Sequence, residues 1–340
     1  MPDENEQTGE AGSGASAAFT AGLIDYAGLF PPASLKLSEA VSNFKRYSTG
    51  DNSAILGDFI CPVEKLREAR ALADKQGADV RFVALPHYGG ELGDLPGDFS
   101  EAGKELESFT SEFGVQRIGA LELKLSEETA QNLEERGGVT ELITGLSAFN
   151  FLFERGVPAY VELVYDAGQR VSPQWQESIV KIVVVLSELR SELGVPLGFK
   201  LRCGGPRAED VPSAAQVAFA INQCREAQLP VKFTAGLHKA ACSHNSVGEV
   251  KEHGFLNVFG AAILSYAIEL EFPKLVDFVQ QKDVSKISFG PDSMTLGGHT
   301  VSLEKVKKAR ELLAVGFGSC SFEEPIDELR KLSILPAVKQ

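Results

Sequence analysis

Two short apolar stretches each carry a lysine where a strand should end: Gly198-Phe199-Lys200-Leu201-Arg202-Cys203-Gly204-Gly205 and Val231-Lys232-Phe233-Thr234-Ala235-Gly236-Leu237-His238. A lysine inside an apolar strand is costly to bury, so it needs a partner or a task. Two of them, each followed by glycine, point to amine chemistry beside a phosphate or carboxylate. Residues two apart on a strand share a face, which groups Lys200 with Arg202, Lys232 with Thr234 and Glu122 with Lys124. If these face a common interior together with Glu122 and Glu162, a lysine crowded by cations is pushed toward its neutral, nucleophilic form. The plainer alternative is a structural network in which Glu122 and Glu162 neutralise Lys200 and Arg202.

Anion binding has separate support. Gly204, Gly205 and Gly236 let backbone amides approach a ligand closely, although tight turns alone would also call for them. Ser321-Phe322-Glu323-Glu324 matches a capping box, so a helix N-terminus should open just after Gly318-Ser319-Cys320. The expected substrate and anion set is Arg202, Gly204, Gly205, Thr234, Gly236, His238, Gly318, Ser319 and Ser321, around catalytic Lys200, Lys232, Glu122 and Glu162. His238, Cys242 and His244 have H-x3-C-x-H spacing, without the second pair that would close a structural zinc tetrahedron. His238 is read as a substrate contact, and no cofactor is called for.

The elements that must position these residues alternate along the chain. Candidate strands are Gly22–Ala27, Ala54–Cys61, Val80–Pro86, Arg117–Leu125, Ala159–Tyr165, Leu197–Cys203, Val231–Ala235 and Val315–Cys320. Helical patterns lie at Glu64–Lys75, Glu101–Phe113, Glu127–Arg136, Gln174–Leu193, Ala214–Ala227, Val250–Ile268 and Leu303–Leu313. Eight strands separated by helices predict an α/β fold, a closed (β/α)8 TIM-type barrel, with active-site residues where strands end and loops begin. The strand-end residues then include Asp58, His87, Tyr88 and Asp166 besides those above. No GxGxxG or P-loop follows the first strand. Two segments exceed the minimal barrel: an added helix over Leu142–Arg155 before the fifth strand, and a hairpin or long loop over Lys286–Ser302 before the eighth. Either would serve as a lid or a homo-oligomer contact. Met1 to Ala18, acidic and rich in Gly, Ala and Ser, reads as a disordered tail, leaving residues 19–335 as one domain.

At the two lysine strands the sequence resembles class I aldolases, in particular the deoxyribose-phosphate aldolase family. The match lies in Lys200-x-x-x-Gly204 on the sixth strand and in Lys232 with Ala235-Gly236 on the seventh. The resemblance implies a Schiff base on Lys200, with Lys232 depressing the pKa of that amine. The family's small hydroxyl residues after the first lysine are replaced here by Leu201, Arg202 and Cys203, and Arg202 suits a carboxylate or phosphate better.

Composition narrows the partners. A formal charge of -14 argues against nucleic acid and anionic membranes, which need a basic face. No apolar run approaches the roughly 18 to 20 residues of a membrane span. Five scattered cysteines without a CxxC fit reduced thiols in cytoplasm. The leading expectation is a lyase of aldolase type acting on a small phosphorylated or carboxylated carbonyl compound, with Glu122 or Glu162 moving protons. One alternative places a divalent metal on Glu122 and Glu162 with Lys200 as general base. Another is a non-catalytic barrel that binds a partner.

Overall fold

The computed structural model describes residues 14–86, 95–126, 133, 136–164, 173–205, 207–244 and 246–336. Eight parallel strands close into a barrel: β1 (Ile24–Tyr26), β2 (Leu56–Pro62), β3 (Phe82–Leu85), β4 (Ile118–Ser126), β5 (Ala159–Val164), β6 (Leu197–Arg202), β7 (Val231–Thr234) and β8 (Ala314–Ser319). They run in sequence order round the ring, and β8 pairs with β1 to close it. The predicted α/β TIM-type architecture is the observed one, strand for strand.

Alternation along each strand builds two apolar environments. Leu121, Leu123 and Leu125 of β4 join the large cluster beneath the surrounding helices. Their neighbour Ala120, with Ala27, Ile60, Val83 and Tyr160, forms a smaller cluster, against which Phe30, Leu85 and Val315 pack. This smaller cluster lies inside the barrel on the β1 to β5 side. Residues on the same inward face as Ala120, two apart along β4, are Glu122 and Lys124, so the interior has an apolar half and a charged half.

The helices sit between strands because their apolar residues recur at helical spacing. Leu66–Gln76 buries Leu66, Ala69 and Ala73, and Gly77 ends it with φ 64°, a left-handed turn that suits glycine. Ala214–Glu226 starts with a capping box between Ser213 and Gln216. Between β1 and β2 lies a further helix, Leu37–Ser48, whose buried Ala40, Val41, Phe44 and Tyr47 form one stripe.

Three segments differ from the sequence reading. The stretch Gly14–Ala18, expected to be tail, begins a helix, Gly14–Thr20, in which Ala15 and Phe19 are fully buried. Phe19 packs edge-on against Phe259 and Phe289. The buried Arg310 guanidinium donates to the carbonyls of Phe19, Ala21 and Ala314, tying this helix to the start of β8. The helix expected over Val250–Ile268 covers only Phe255–Ala267, because Val250–Glu252 pairs with Ser243–His244 and Gly254 interrupts the run. The Lys286–Ser302 segment is a three-stranded antiparallel sheet of Ile287–Phe289, Ser293–Leu296 and His299–Ser302. The added helix before β5 is present as Arg136–Ser147 followed by Asn150–Phe153. The expected tail up to residue 13, most of the Glu127–Arg136 pattern, His87, Tyr88 and Asp166 fall outside the described residues. Among the described residues, no helix is long and apolar enough to cross a membrane.

Candidate active site

The charged half of the interior is one continuous chain of alternating charges. Arg202 Nε lies 2.8 Å from Glu162 Oε1, and Lys200 Nζ lies 2.8 Å from Glu162 Oε2. Lys200 Nζ is also 2.8 Å from Glu122 Oε2. The other oxygen of Glu122 is 2.7 Å from Lys232 Nζ, which in turn stands 2.5 Å from Asp25 Oδ2. Asp25 Oδ1 accepts the backbone N–H of Asp58 at 2.6 Å, and Asp58 Oδ1 accepts from Arg81 Nε at 2.7 Å. Glu122 therefore bridges both lysines, and Lys232 lies under the Tyr160 ring at 5.5 Å from its centroid.

Strand register explains the convergence. Glu162 pairs with Lys200 across β5 and β6, and Lys200 with Lys232 across β6 and β7, so these groups sit at one height. Asp25 is two strands away from Lys232, across β8. Gly316 pairs with Lys232 and Gly318 with Asp25. Two side-chain-free positions on β8 leave the space through which carboxylate and ammonium meet.

All four expected catalytic residues are buried and come together. The electrostatic expectation needs correcting, because the nearest charges to each lysine are carboxylates rather than cations. Burial alone would lower the Lys200 amine, but Glu122 and Glu162 outweigh it and raise its pKa. Burial is likewise overcome at Lys232 by Asp25 and Glu122, which raise it further. Burial opposes ionisation of Glu122, yet Lys200 and Lys232 hold it down to about 2. Glu162 is lowered too, as Lys200 and Arg202 overcome its burial. Asp25 goes the other way: burial raises its carboxyl, Lys232 only partly offsets this, and Asp58 adds to it. The amine that does move toward neutrality is Lys124, lowered chiefly by burial and paired in register with Glu162.

These shifts carry a pH signature. The folded pKa of Glu122 lies below its unfolded value of 4.5, so its contribution is complete above pH 4.5 and is lost as pH falls toward about 2. That difference corresponds to about 3 kcal/mol. Acid titration of unfolding free energy is expected to fall steeply through this window, and a flat profile there would contradict the ionised bridge.

Asp25, on the first strand, is a member of the charge chain left out of the expected site. Its strand is three residues long and leads into a Gly- and Pro-rich loop, so the residue reads as an ordinary turn aspartate. Only the closure of β1 onto β8 puts it beside Lys232. Its setting is tight, since a Cβ on Gly57 would fall 2.1 Å from Asp25 Oδ1. That oxygen is fixed by the Asp58 N–H, so Gly57→Ala is expected to destabilise the fold by about 1–3 kcal/mol. Denaturant unfolding checks this, and a change within about 0.5 kcal/mol would contradict it.

The expected anion set divides. Arg202, Thr234 and Gly318 sit at one level on β6, β7 and β8, with Thr234 in register with both others. At this end of the chain Arg202 reaches solvent, with 32% of its side chain exposed. Gly204 and Gly236 lie against each other: a Cβ on Gly204 would come 2.7 Å from Gly236 Cα, and Gly236 has φ 71°. Gly205 packs on Asp210. Ser319 Oγ donates to Ser321 O, and Ser321 Oγ accepts from Glu324 N, so both serines shape the start of helix Glu323–Lys331. His238 Nδ1 is 2.8 Å from Glu324 Oε2. Cys242 and His244 pair with each other, 3.6 Å apart. Among the described residues no group of three or more His, Cys, Asp or Glu has a metal-holding arrangement.

A cavity of about 260 Å³ opens at the opposite, N-terminal end of the barrel, among Gly22, Leu56, Gly119 and Pro158. Asp25, Asp58, Arg81, Tyr160 and Lys232 line it, so the far end of the charge chain meets solvent there.

From Arg202 to Asp25 the chain holds three cations and three carboxylates, and Asp58 with Arg81 adds one of each. Such networks do not outperform apolar packing in stability, because desolvation opposes the gain in attraction. What the arrangement offers chemically is proton movement between adjacent acids and amines at short range. No protein-family model and no curated protein matches this sequence.

Proposed function

We propose that this protein is a carbon–carbon lyase of aldolase type that forms an imine between Lys200 and a small carbonyl compound bearing phosphate or carboxylate. The observation that carries the reading is the unbroken charge chain from Arg202 to Asp25, with two lysines bridged by one carboxylate.

Arg202, partly exposed and flanked by Thr234 and Gly318, holds the anionic end of the substrate. Lys200 must lose its proton before it attacks. Lys232 first yields a proton to Asp25, and Glu122 takes the proton of Lys200 and passes it to the amine so freed on Lys232. The net change is a neutral Lys200 and a protonated Asp25, whose raised carboxyl makes it the most favourable acceptor among the three acids. Lys200 then adds to the carbonyl carbon, and the relay returns a proton to the departing oxygen so that water leaves and an iminium remains. The iminium accepts the electron pair when the neighbouring carbon–carbon bond breaks. Glu162, between Lys200 and Arg202, accepts the proton of the substrate hydroxyl as that bond breaks. The cavity beside Asp25 and Lys232 gives the relay an exchange point with water.

A metal-assisted reaction has less support, because Glu122 and Glu162 each have both oxygens within 2.8 Å of a cation. The test is cleavage of a panel of phosphorylated and carboxylated β-hydroxy carbonyl compounds, with and without a chelator. Aldehyde release that persists with the chelator is expected. Turnover that vanishes with the chelator and returns with magnesium, manganese or zinc would overturn the imine reading. No turnover with any compound would leave a structural ion-pair network.

A further inference from the structure

A second cluster of reactive groups lies just beyond β8 and has no part in the charge chain. Of the five cysteines, Cys61, Cys203, Cys224 and Cys242 are buried, while Cys320 is partly exposed. Cys320 Sγ stands 3.8 Å from His238 Nε2, and His238 Nδ1 stands 2.8 Å from Glu324 Oε2. The three come from separate segments: the end of β8, the loop after β7 and the first turn of helix Glu323–Lys331.

The order thiol, imidazole, carboxylate is that of an activated nucleophile. Glu324 Oε2 stands 2.8 Å from Nδ1 without hydrogen-bond alignment, and a carboxylate at that distance favours a proton on Nδ1, which leaves Nε2 as the acceptor facing the thiol. Burial raises the Cys320 pKa and Glu324 adds to it, against the Ala33 backbone contact that lowers it, so the thiol rests protonated and needs a base. The neighbouring Cys242–His244 pair is a useful contrast. There the imidazole nitrogens face the carbonyls of Gly248 and Gln280, at 2.8 and 3.4 Å, rather than a carboxylate.

We propose that Cys320, with His238 as base and Glu324 as positioning residue, is a nucleophilic thiol site that takes a small aldehyde as a reversible hemithioacetal. The Sγ–C bond forms as the carbonyl π bond breaks. The thiol proton passes to His238 Nε2 and from there to the new hydroxyl oxygen. The step needs no oxidant and no leaving group, so these residues complete it, whereas an acyl donor would require a further group to discharge the thioester. The site stands independently of imine formation at Lys200, since it shares no residue with that chain.

Iodoacetamide labelling near neutral pH, followed by peptide mass mapping, tests the site, with glycolaldehyde as competitor. Cys320 is expected to react at least about tenfold faster than the four buried thiols, and His238→Gln to slow it at least about tenfold. Glu324→Gln is expected to slow it less, with Glu324→Asp restoring the rate. The Glu324 side chain is 61% exposed, so these variants fold even if His238→Gln does not. Glycolaldehyde should protect Cys320, and dilution should reverse the protection. A wild-type labelling rate in both His238→Gln and Glu324→Gln would reduce Cys320 to a merely accessible thiol and overturn the proposal. Absence of glycolaldehyde protection would overturn the aldehyde assignment.

Discussion

Lys200→Met is expected to reduce turnover at least about a thousandfold and to abolish borohydride-trapped adduct, because the Lys200 amine is the nucleophile held 2.8 Å from both Glu122 and Glu162. The variant should still fold, since Glu122 retains Lys232 and Glu162 retains Arg202. Lys232→Met gives the contrasting result. Turnover falls because the relay from Glu122 to Asp25 is cut, yet slow adduct formation at Lys200 persists. Far-UV circular dichroism confirms folding of both, and steady-state rates with adduct mass separate the two roles. Equal loss of adduct in the two variants would contradict the division of labour.

Glu122→Gln is expected to be among the most destabilising single substitutions in the barrel, at about 3–5 kcal/mol, because a buried ion pair broken on one side leaves uncompensated charge. Here one carboxylate serves two ammonium groups, both almost fully buried. The same variant should make the acid titration shallower between pH 4.5 and about 2, since the Glu122 contribution is lost and that of Glu162 remains. Urea unfolding as a function of pH measures both effects. A Glu122→Gln protein with wild-type stability at neutral pH would show that the bridge is not ionised.

The barrel was legible because each strand is a short apolar run bounded by turn residues, and because helical patterns fall between the runs. The Leu37–Ser48 helix escaped the sequence reading, because its polar residues hide the stripe of Ala40, Val41, Phe44 and Tyr47. The Val250–Glu252 strand escaped it too, since three residues paired with the dipeptide Ser243–His244 carry no periodicity of their own. Within the site, period-two alternation correctly grouped Lys200 with Arg202 and Glu122 with Lys124. It could not supply neighbours around the ring. That Glu122 lies between the two lysines depends on barrel curvature, and that Asp25 reaches Lys232 depends on Gly316 and Gly318 of β8. The sign of the lysine shifts followed from those missing neighbours. Counting cations along the chain predicted lowered amines, whereas the carboxylates brought in by the fold raise them.

Imine formation on Lys200 is tested by reductive trapping with site mapping. The protein is incubated with a phosphorylated aldehyde or keto acid in the presence of borohydride, digested, and mapped by mass spectrometry. One reduced adduct is expected, on the peptide bearing Lys200. An adduct confined to Lys124, the amine that burial lowers at the same end of the barrel, or no adduct with any carbonyl compound, would contradict it.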